Sequence, residues 1–123
     1  MRFKEMSQSC GGRYTLTQES DSITFSSPSY PQIPNPHSEC EWVFLAPGGE
    51  RININFYDRF DLTVTSRCTD AYVEIRNGGT ENSPLIGRYC NEMPGTQISR
   101  ENIIYVKFFT DVADPRNGFI ANA

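Results

Sequence analysis

Four cysteines and one histidine are the residues of this chain whose types and spacing first suggest chemistry. Cys10, Cys40, Cys68 and Cys90 are widely and unevenly spaced, and no Cys-x-x-Cys pair occurs. Zinc sites take ligands in close pairs and thioredoxin-like sites need the dithiol motif, so the spacing argues against both. An even number of scattered cysteines in a chain of this size predicts two disulfides and an oxidising compartment. Three pairings are possible, and four buried free thiols are the alternative.

Signatures of catalysis are absent from the sequence. His37 lies among prolines, where a solvated or loop-bracing role is expected rather than general-base catalysis. There is no Gly-x-Ser-x-Gly elbow, no phosphate-binding glycine loop and no His-Glu-x-x-His motif. Acid–base catalysis by carboxylates needs two of them to converge in a pocket, and a small domain rarely encloses one. We therefore expect no enzymatic activity.

Length and composition restrict the remaining possibilities. A chain of 123 residues with 37% hydrophobic and 12% aromatic residues can build one domain around one core. No apolar run approaches the ~20 residues that cross a bilayer, so no membrane insertion is expected. The net charge is −4 without a cluster of Lys and Arg, which argues against nucleic-acid binding.

Short strands separated by turn residues are predicted along the chain, and no helix. Residues 51–56 and 71–76 alternate between apolar and polar types, as half-buried strands do. Residues 41–45 and 103–109 are nearly continuous apolar runs, typical of central strands covered on both faces. Shorter strands are predicted at 22–25, 85–89 and 118–121, and a tight hairpin turn at Asn77-Gly78. Many short strands at this spacing predict an antiparallel β-sandwich.

Several motifs in register resemble those of CUB domains. They include Cys10-Gly-Gly at the start, Ser-Pro-Ser-Tyr-Pro at 27–31 and Gly-Arg-Tyr-Cys at 87–90. The resemblance implies an all-β jelly-roll sandwich of two five-stranded antiparallel sheets with disulfides Cys10–Cys40 and Cys68–Cys90. It also implies an extracellular, non-catalytic binding module of a larger secreted or membrane-anchored protein, working beside neighbouring modules. We expect residues 1–9, which lack a signal-peptide core, to be a linker or an added segment, and residues 10–123 to be the domain.

The resemblance raises the question of calcium, which many CUB domains bind near one end. Their ligands are a Glu in Phe-Asp-Leu-Glu, an Asp three residues after the third cysteine, and an Asp in the penultimate loop. Here Thr63 and Ala71 replace the first two, and Asp111 alone matches. Because charged carboxylates supply most of the affinity for calcium, we expect no cofactor and no metal site. If an ion does bind, its ligands would be Asp61, Asp70 and Asp111.

Loops 57–67 and 110–117 are the predicted binding surface, because the resemblance places them at the same end of the sandwich. The partner is expected to be an extracellular protein, with Phe60 as an apolar anchor between charges. The residues predicted to contact it are Arg59, Phe60, Asp61, Arg67, Asp111, Asp114 and Arg116.

Two alternatives to protein binding remain open. The first is a glycan- or lipid-headgroup-binding module of spermadhesin type, for which Tyr14, Tyr57 and Phe60 are the candidate aromatic residues. The second is a spacer that positions neighbouring domains. A solvated charged rim without any partner is the simplest interpretation of each loop charge, since surface charge pairs contribute only about 0–1 kcal/mol.

Overall fold

The described part of the protein contains nine strands. A computed structural model describes residues 10–18, 21–28, 30, 37–62, 68–111, 116 and 118–123, and it places no helix among them. Within those residues, nothing has the form of a hydrophobic helix that could traverse a bilayer. The strands are β1 (Gly12–Thr15), β2 (Thr24–Ser26), β3 (His37–Leu45), β4 (Asn53–Asp61), β5 (Ala71–Asn77), β6 (Leu85–Tyr89), β7 (Gln97–Ile98), β8 (Ile103–Asp111) and β9 (Gly118–Asn122).

Two sheets pack face to face, which confirms the predicted sandwich. One sheet has five strands in the order β1-β3-β8-β5-β6, and the other has four in the order β2-β9-β4-β7. The described part of the second sheet thus has one strand fewer than the resemblance implies. The pairing is antiparallel except between β1 and β3, which are parallel. The chain passes through β2 in the opposite sheet between these two strands, so β3 returns beside β1 in the same direction.

The predicted strands all occur, and two further strands were not predicted. β1 and β7 are too short to show a hydrophobic period, and β7 pairs only Gln97 and Ile98 with β4. The predicted hairpin after β5 also exists, but its connection spans residues 78–84 rather than a tight turn at Asn77-Gly78. A hydrogen bond from the Asn77 amide to the Pro84 carbonyl (2.8 Å) closes this longer loop.

An aromatic cluster centred on Phe119 fills the core between the sheets. The Phe119 ring is fully buried, and the centroid distances to Phe25, Trp42 and Phe108 lie between 5.7 and 5.9 Å. Ring pairs at such distances contribute about 0.5–1.5 kcal/mol each beyond the area they bury. Trp42 and Phe108 lie in the two runs that were predicted to be central strands, and both are buried.

Both predicted disulfides are present, and the described residues contain no free cysteine. Cys10 bonds to Cys40 and Cys68 bonds to Cys90, with Cα–Cα distances of 5.5 and 5.4 Å. The first attaches the start of β1 to the central strand β3. The second attaches the segment before β5 to the end of β6. The two bonds therefore fix both edge strands of the five-stranded sheet.

Candidate functional site

A bulge near the end of β4 shapes one end of the sandwich. The register between β4 and β9 shifts between Tyr57 and Phe60, so Asp58 and Arg59 lie outside the ladder and are exposed. Asp58 has a φ of 62°, in the left-handed region of the backbone, where Asp and Asn occur more often than most other residues with a side chain. The Tyr30 hydroxyl donates a 2.6 Å hydrogen bond to Asp58 Oδ2. Burial, followed by this bond to Asp58, raises the pKa of Tyr30, so the phenol remains a donor at neutral pH.

An ion pair connects the two segments that were predicted to form the binding surface. Arg116 Nε lies 3.3 Å from Asp61 Oδ1, and the Arg116 side chain is largely exposed. This contact joins the end of β4 to Arg116, which lies between β8 and β9 in sequence. At the adjacent end of the five-stranded sheet, His37 Nδ1 lies within hydrogen-bond distance of Asp111 Oδ1, and both side chains are exposed. Of the predicted contact residues, Arg67 and Asp114 lie outside the described residues.

Phe60 does not project as the predicted anchor. It is half-buried, and its ring packs against Phe56 and Phe119 at centroid distances of 5.7 and 6.5 Å. The bulge adds two residues to β4, so the alternation continues through it and Phe60 lies on the same inward side as Ile54 and Phe56. Phe60 is therefore part of the packing around the core, while Asp58 and Arg59 beside it are exposed.

The carboxylates named for a possible calcium ion have separate partners. Asp61 pairs with Arg116, and Asp111 pairs with His37. The Asp70 side chain accepts a 3.4 Å hydrogen bond from the Thr69 hydroxyl, while its backbone carbonyl accepts one from the Asp111 amide.

The donors that the structure describes at this end do not converge as calcium ligands would. Ala71 is 1% exposed, so the second family ligand position offers a buried methyl group, and Thr63 lies outside the described residues. Across the residues described, no group of three or more His, Cys, Asp or Glu is arranged to hold a metal ion. Calcium requires several oxygen ligands directed at one point, and these residues do not provide them.

The outer face of the five-stranded sheet carries a polar cluster that sequence reasoning missed. Glu74 is only 4% exposed and accepts hydrogen bonds from Arg76 Nε (2.9 Å) and from Arg88 Nε and Nη2 (3.0 and 2.6 Å). Arg88 also lies over the Tyr72 ring at 4.1 Å, and Tyr72 stacks on Phe109 at 5.3 Å. Alternation along β5 predicted Ala71, Val73 and Ile75 to face inwards, which is correct. The alternation gave no sign that side chains on the opposite face of β5 are buried as well.

Three pKa values on this face reflect its dense polar packing. Burial raises the pKa of Glu74, but hydrogen bonds from Arg88 and Arg76 outweigh burial and lower it below its ordinary value. Burial lowers the pKa of Lys107, but the 3.2 Å pair with Glu39 outweighs burial and raises it. Burial and a hydrogen bond to Glu41 both raise the pKa of Tyr105. Tyr105 is buried, and it lies on this outer face rather than between the sheets.

Comparison with protein families identifies the fold that carries these surfaces. A model described as "CUB domain" matches residues 10–122. The chain belongs to the CUB domain family. The resemblance predicted from its motifs is thereby confirmed, and so is the extracellular location, because CUB domains are extracellular modules.

Curated relatives of this CUB domain are much longer proteins. The chain is 40% identical over 126 residues to a cubilin homolog of Drosophila melanogaster and 32% identical over 122 residues to cubilin of Homo sapiens. Each match covers 98% of this chain and 3% of the relative. Neuropilin-2 of Rattus norvegicus is 38% identical over 112 residues, covering 89% of this chain and 12% of that protein. The CUB domain thus spans a small fraction of the relatives it matches.

Solved structures share the same fold. The MASP-1 CUB2 domain bound to Ca²⁺ superimposes with a TM-score of 0.76 at 25% identity, covering 92% of this chain and 97% of that one. The full extracellular region of zebrafish Gpr126/Adgrg6 matches with a TM-score of 0.73 at 27% identity, covering 88% of this chain and 14% of that one. The jelly-roll sandwich is therefore the fold of this domain.

Proposed function

We propose that this CUB domain binds an extracellular protein through its end surface, formed by loops 57–67 and 110–117. The contact between Asp61 and Arg116 is the observation that carries the proposal. It places Asp61 and Arg116, which are distant in sequence, next to each other, so that both can contact one partner. The bulge adds Asp58 and Arg59 to the same end as exposed charges outside the ladder.

Charge on the end surface favours a polar protein partner. Arg59, Arg116 and Asp111 are exposed, while Phe60 packs against the core. Arginine is enriched in protein interfaces because its planar guanidinium can make several hydrogen bonds at once. Complementary charges at such a rim affect mainly association rate and specificity. We therefore propose that Arg59 and Arg116 contact acidic or carbonyl groups of the partner.

Binding without catalysis is part of the same proposal. Asp61, Asp70 and Asp111 have separate partners and do not converge on one pocket, as acid–base catalysis by two carboxylates would require. Because the chain spans 3% of its cubilin relatives, we propose that the domain acts as one module of a longer chain.

A display experiment with charge-reversal variants tests the end surface. The immobilised domain is probed with an array of purified extracellular proteins, and hits are measured by surface plasmon resonance. We expect the double variant R59E/R116E to lose at least about tenfold in affinity for its hits. Arg51→Glu is the matched control, because Arg51 is exposed and precedes β4 at the opposite end. Hits that tolerate the double variant, or an array without hits, would contradict the proposal, and the second result would favour a spacer.

A further inference from the structure

The five-stranded sheet ends on one side at β6, the longest of the described strands that end a sheet. β6 has five residues, whereas β1, β2 and β7, which end a sheet at the other positions, have four, three and two. Because β6 pairs only with β5, the backbone N–H and C=O groups on its other side have no strand partner among the described residues. Such groups are a template to which another extended chain can hydrogen-bond.

Few of the usual features that block an exposed strand edge occur in β6. Native edges are commonly interrupted by lysine, proline or bulges, or are covered by a loop. β6 contains no lysine or proline, and its one charged side chain, Arg88, is directed at Glu74 on the outer face of the sheet. A bulge occurs at Ile86, and residues 87–89 after it pair with β5 in regular register. Within the described structure, no backbone hydrogen bond joins residues 91–96 to β6.

Both ends of β6 are fixed, so the edge is ordered before anything binds to it. The Asn77 amide donates to the Pro84 carbonyl at 2.8 Å just before the strand begins. The disulfide between Cys68 and Cys90 holds the residue that follows the strand. A segment that is already ordered loses little conformational entropy when a partner pairs with it.

Side chains on the outer face of the sheet define which chain would fit beside β6. Leu85 is 52% exposed. It lies on the same face as Arg88, because their partners in β5 are two positions apart. Within β5 and β6 the charged residues are Glu74, Arg76 and Arg88, which leave one net positive charge. Glu81 and Glu92 lie in the segments that flank β6 and not in the pairing.

The two arginines retain hydrogen-bond donors. Arg88 uses Nε and Nη2 for Glu74, and Arg76 uses Nε for Glu74 and Nη1 for the Ser83 carbonyl. Across the residues that the structure describes, Arg88 Nη1 and Arg76 Nη2 make no hydrogen bond to the protein. Glu74 therefore holds the guanidinium groups in place without occupying all of their donors, and these donors suit a carboxylate.

We propose that an extended segment of another extracellular protein adds to the five-stranded sheet beside β6, with an acidic side chain next to Arg88 and an apolar one next to Leu85. The carboxylate would accept charge-assisted hydrogen bonds from the arginines, and the apolar side chain would cover Leu85. A second copy of this domain is the poorer occupant, because pairing β6 with β6 would bring the arginines of both copies together. The β6 edge shares no residue with the end surface, so this interaction is additional to the proposed function.

Peptide selection followed by nuclear magnetic resonance tests the proposal. The immobilised domain selects from a phage-displayed library of random dodecapeptides, and enriched peptides are titrated into the ¹⁵N-labelled domain. We expect these peptides to carry an acidic residue among alternating apolar residues, and to shift the amide signals of residues 85–89 with a Kd of about 100 μM or tighter. Edge amides of β6 should become protected from hydrogen exchange on binding. Replacing the acidic residue of the peptide by its amide should weaken binding about fivefold.

Leu85→Lys is the deciding variant, because it removes the apolar contact and adds a charge to the edge. It should weaken peptide binding at least about tenfold. Ile98→Lys is the matched control, since Ile98 is also 52% exposed and lies in β7, at the edge of the other sheet; it should leave peptide binding unchanged. The ¹⁵N spectrum of each variant checks that it is folded. R59E/R116E should keep peptide binding and Leu85→Lys should keep the end-surface hits, so that failure of one surface is distinguishable from failure of the other.

Four results would overturn the proposal. The first is a selection that enriches no peptide, or only peptides that leave the signals of residues 85–89 unmoved. The second is equal binding of the acidic peptide and its amide form. The third is equal binding by Leu85→Lys and Ile98→Lys. The fourth is a dimer of the domain alone, seen by analytical ultracentrifugation and dissociated by Leu85→Lys, since the edge would then serve a second copy.

Discussion

Removing the charge of Glu74 should cost this domain a large share of its stability. Glu74→Gln keeps the shape of the side chain but replaces a carboxylate that accepts three hydrogen bonds from Arg76 and Arg88. Breaking a fully buried ion pair costs about 3–5 kcal/mol, whereas an exposed pair contributes about 0–1 kcal/mol. Glu74 is buried, but its two arginine partners are 20% and 36% exposed and can be rehydrated. We therefore expect the free energy of unfolding to fall by about 2–3 kcal/mol.

Urea denaturation at two pH values measures this loss. The folded-state pKa of Glu74 lies below its ordinary value of 4.5, so the ionised carboxylate stabilises the fold above that value. This stabilisation is lost as the pH falls through the folded-state pKa. The difference in the free energy of unfolding between Glu74→Gln and the unaltered domain should accordingly be largest at pH 7 and become smaller in acid. Glu39→Gln is the matched control, because Glu39 pairs with Lys107 but is 56% exposed, and it should cost less than about 1 kcal/mol. Equal losses for the two variants at pH 7 would refute the reasoning.

Two further predictions concern the end surface. Phe60→Ala should lower the free energy of unfolding, measured in urea, by about 2 kcal/mol, roughly half the cost for a fully buried phenylalanine. Tyr57→Ala, at an exposed position of the same strand, should lower it by less than about 1 kcal/mol. A loss below about 0.5 kcal/mol for Phe60→Ala would restore the interpretation of Phe60 as an exposed anchor. Differential scanning fluorimetry should give the same melting temperature in EDTA and in about 1 mM calcium, with the MASP-1 CUB2 domain as the calcium-binding control. Saturable stabilisation by calcium that Asp111→Ala removes would show that the donor set has been misjudged.

Strands could be predicted from the sequence wherever apolar and polar side chains alternate or apolar residues form a continuous run. Residues 51–56 alternate because one side of β4 faces the core, and Ile52 and Ile54 are indeed buried. β1 and β7 escaped prediction because two to four residues cannot display a period of two. The parallel pairing of β1 was also out of reach, because it depends on the path of the chain between the two sheets.

The polar surfaces were harder to predict because they depend on register. Glu74 and Arg88 are opposite each other in the β5–β6 pair, but fourteen positions apart in sequence, with no local signal to relate them. The ion pair of Asp61 and Arg116 was foreseeable only through the resemblance, which places both loops at one end. Phe60 was misjudged because residues 57–67 were predicted to form a loop, whereas β4 continues to Asp61 and Phe60 lies on its inward side with Phe56.

The disulfide between Cys10 and Cys40 has a mechanical consequence. Cys40 lies in β3, a central strand of the five-stranded sheet. Tension applied at Cys10 passes directly through the covalent bond into that strand and bypasses the β1 ladder. The chain between the two cysteines cannot be pulled straight while the bond is intact, even when the noncovalent structure has given way. The bond thus limits how far the domain can lengthen under stretching, and a reducing environment would remove that limit.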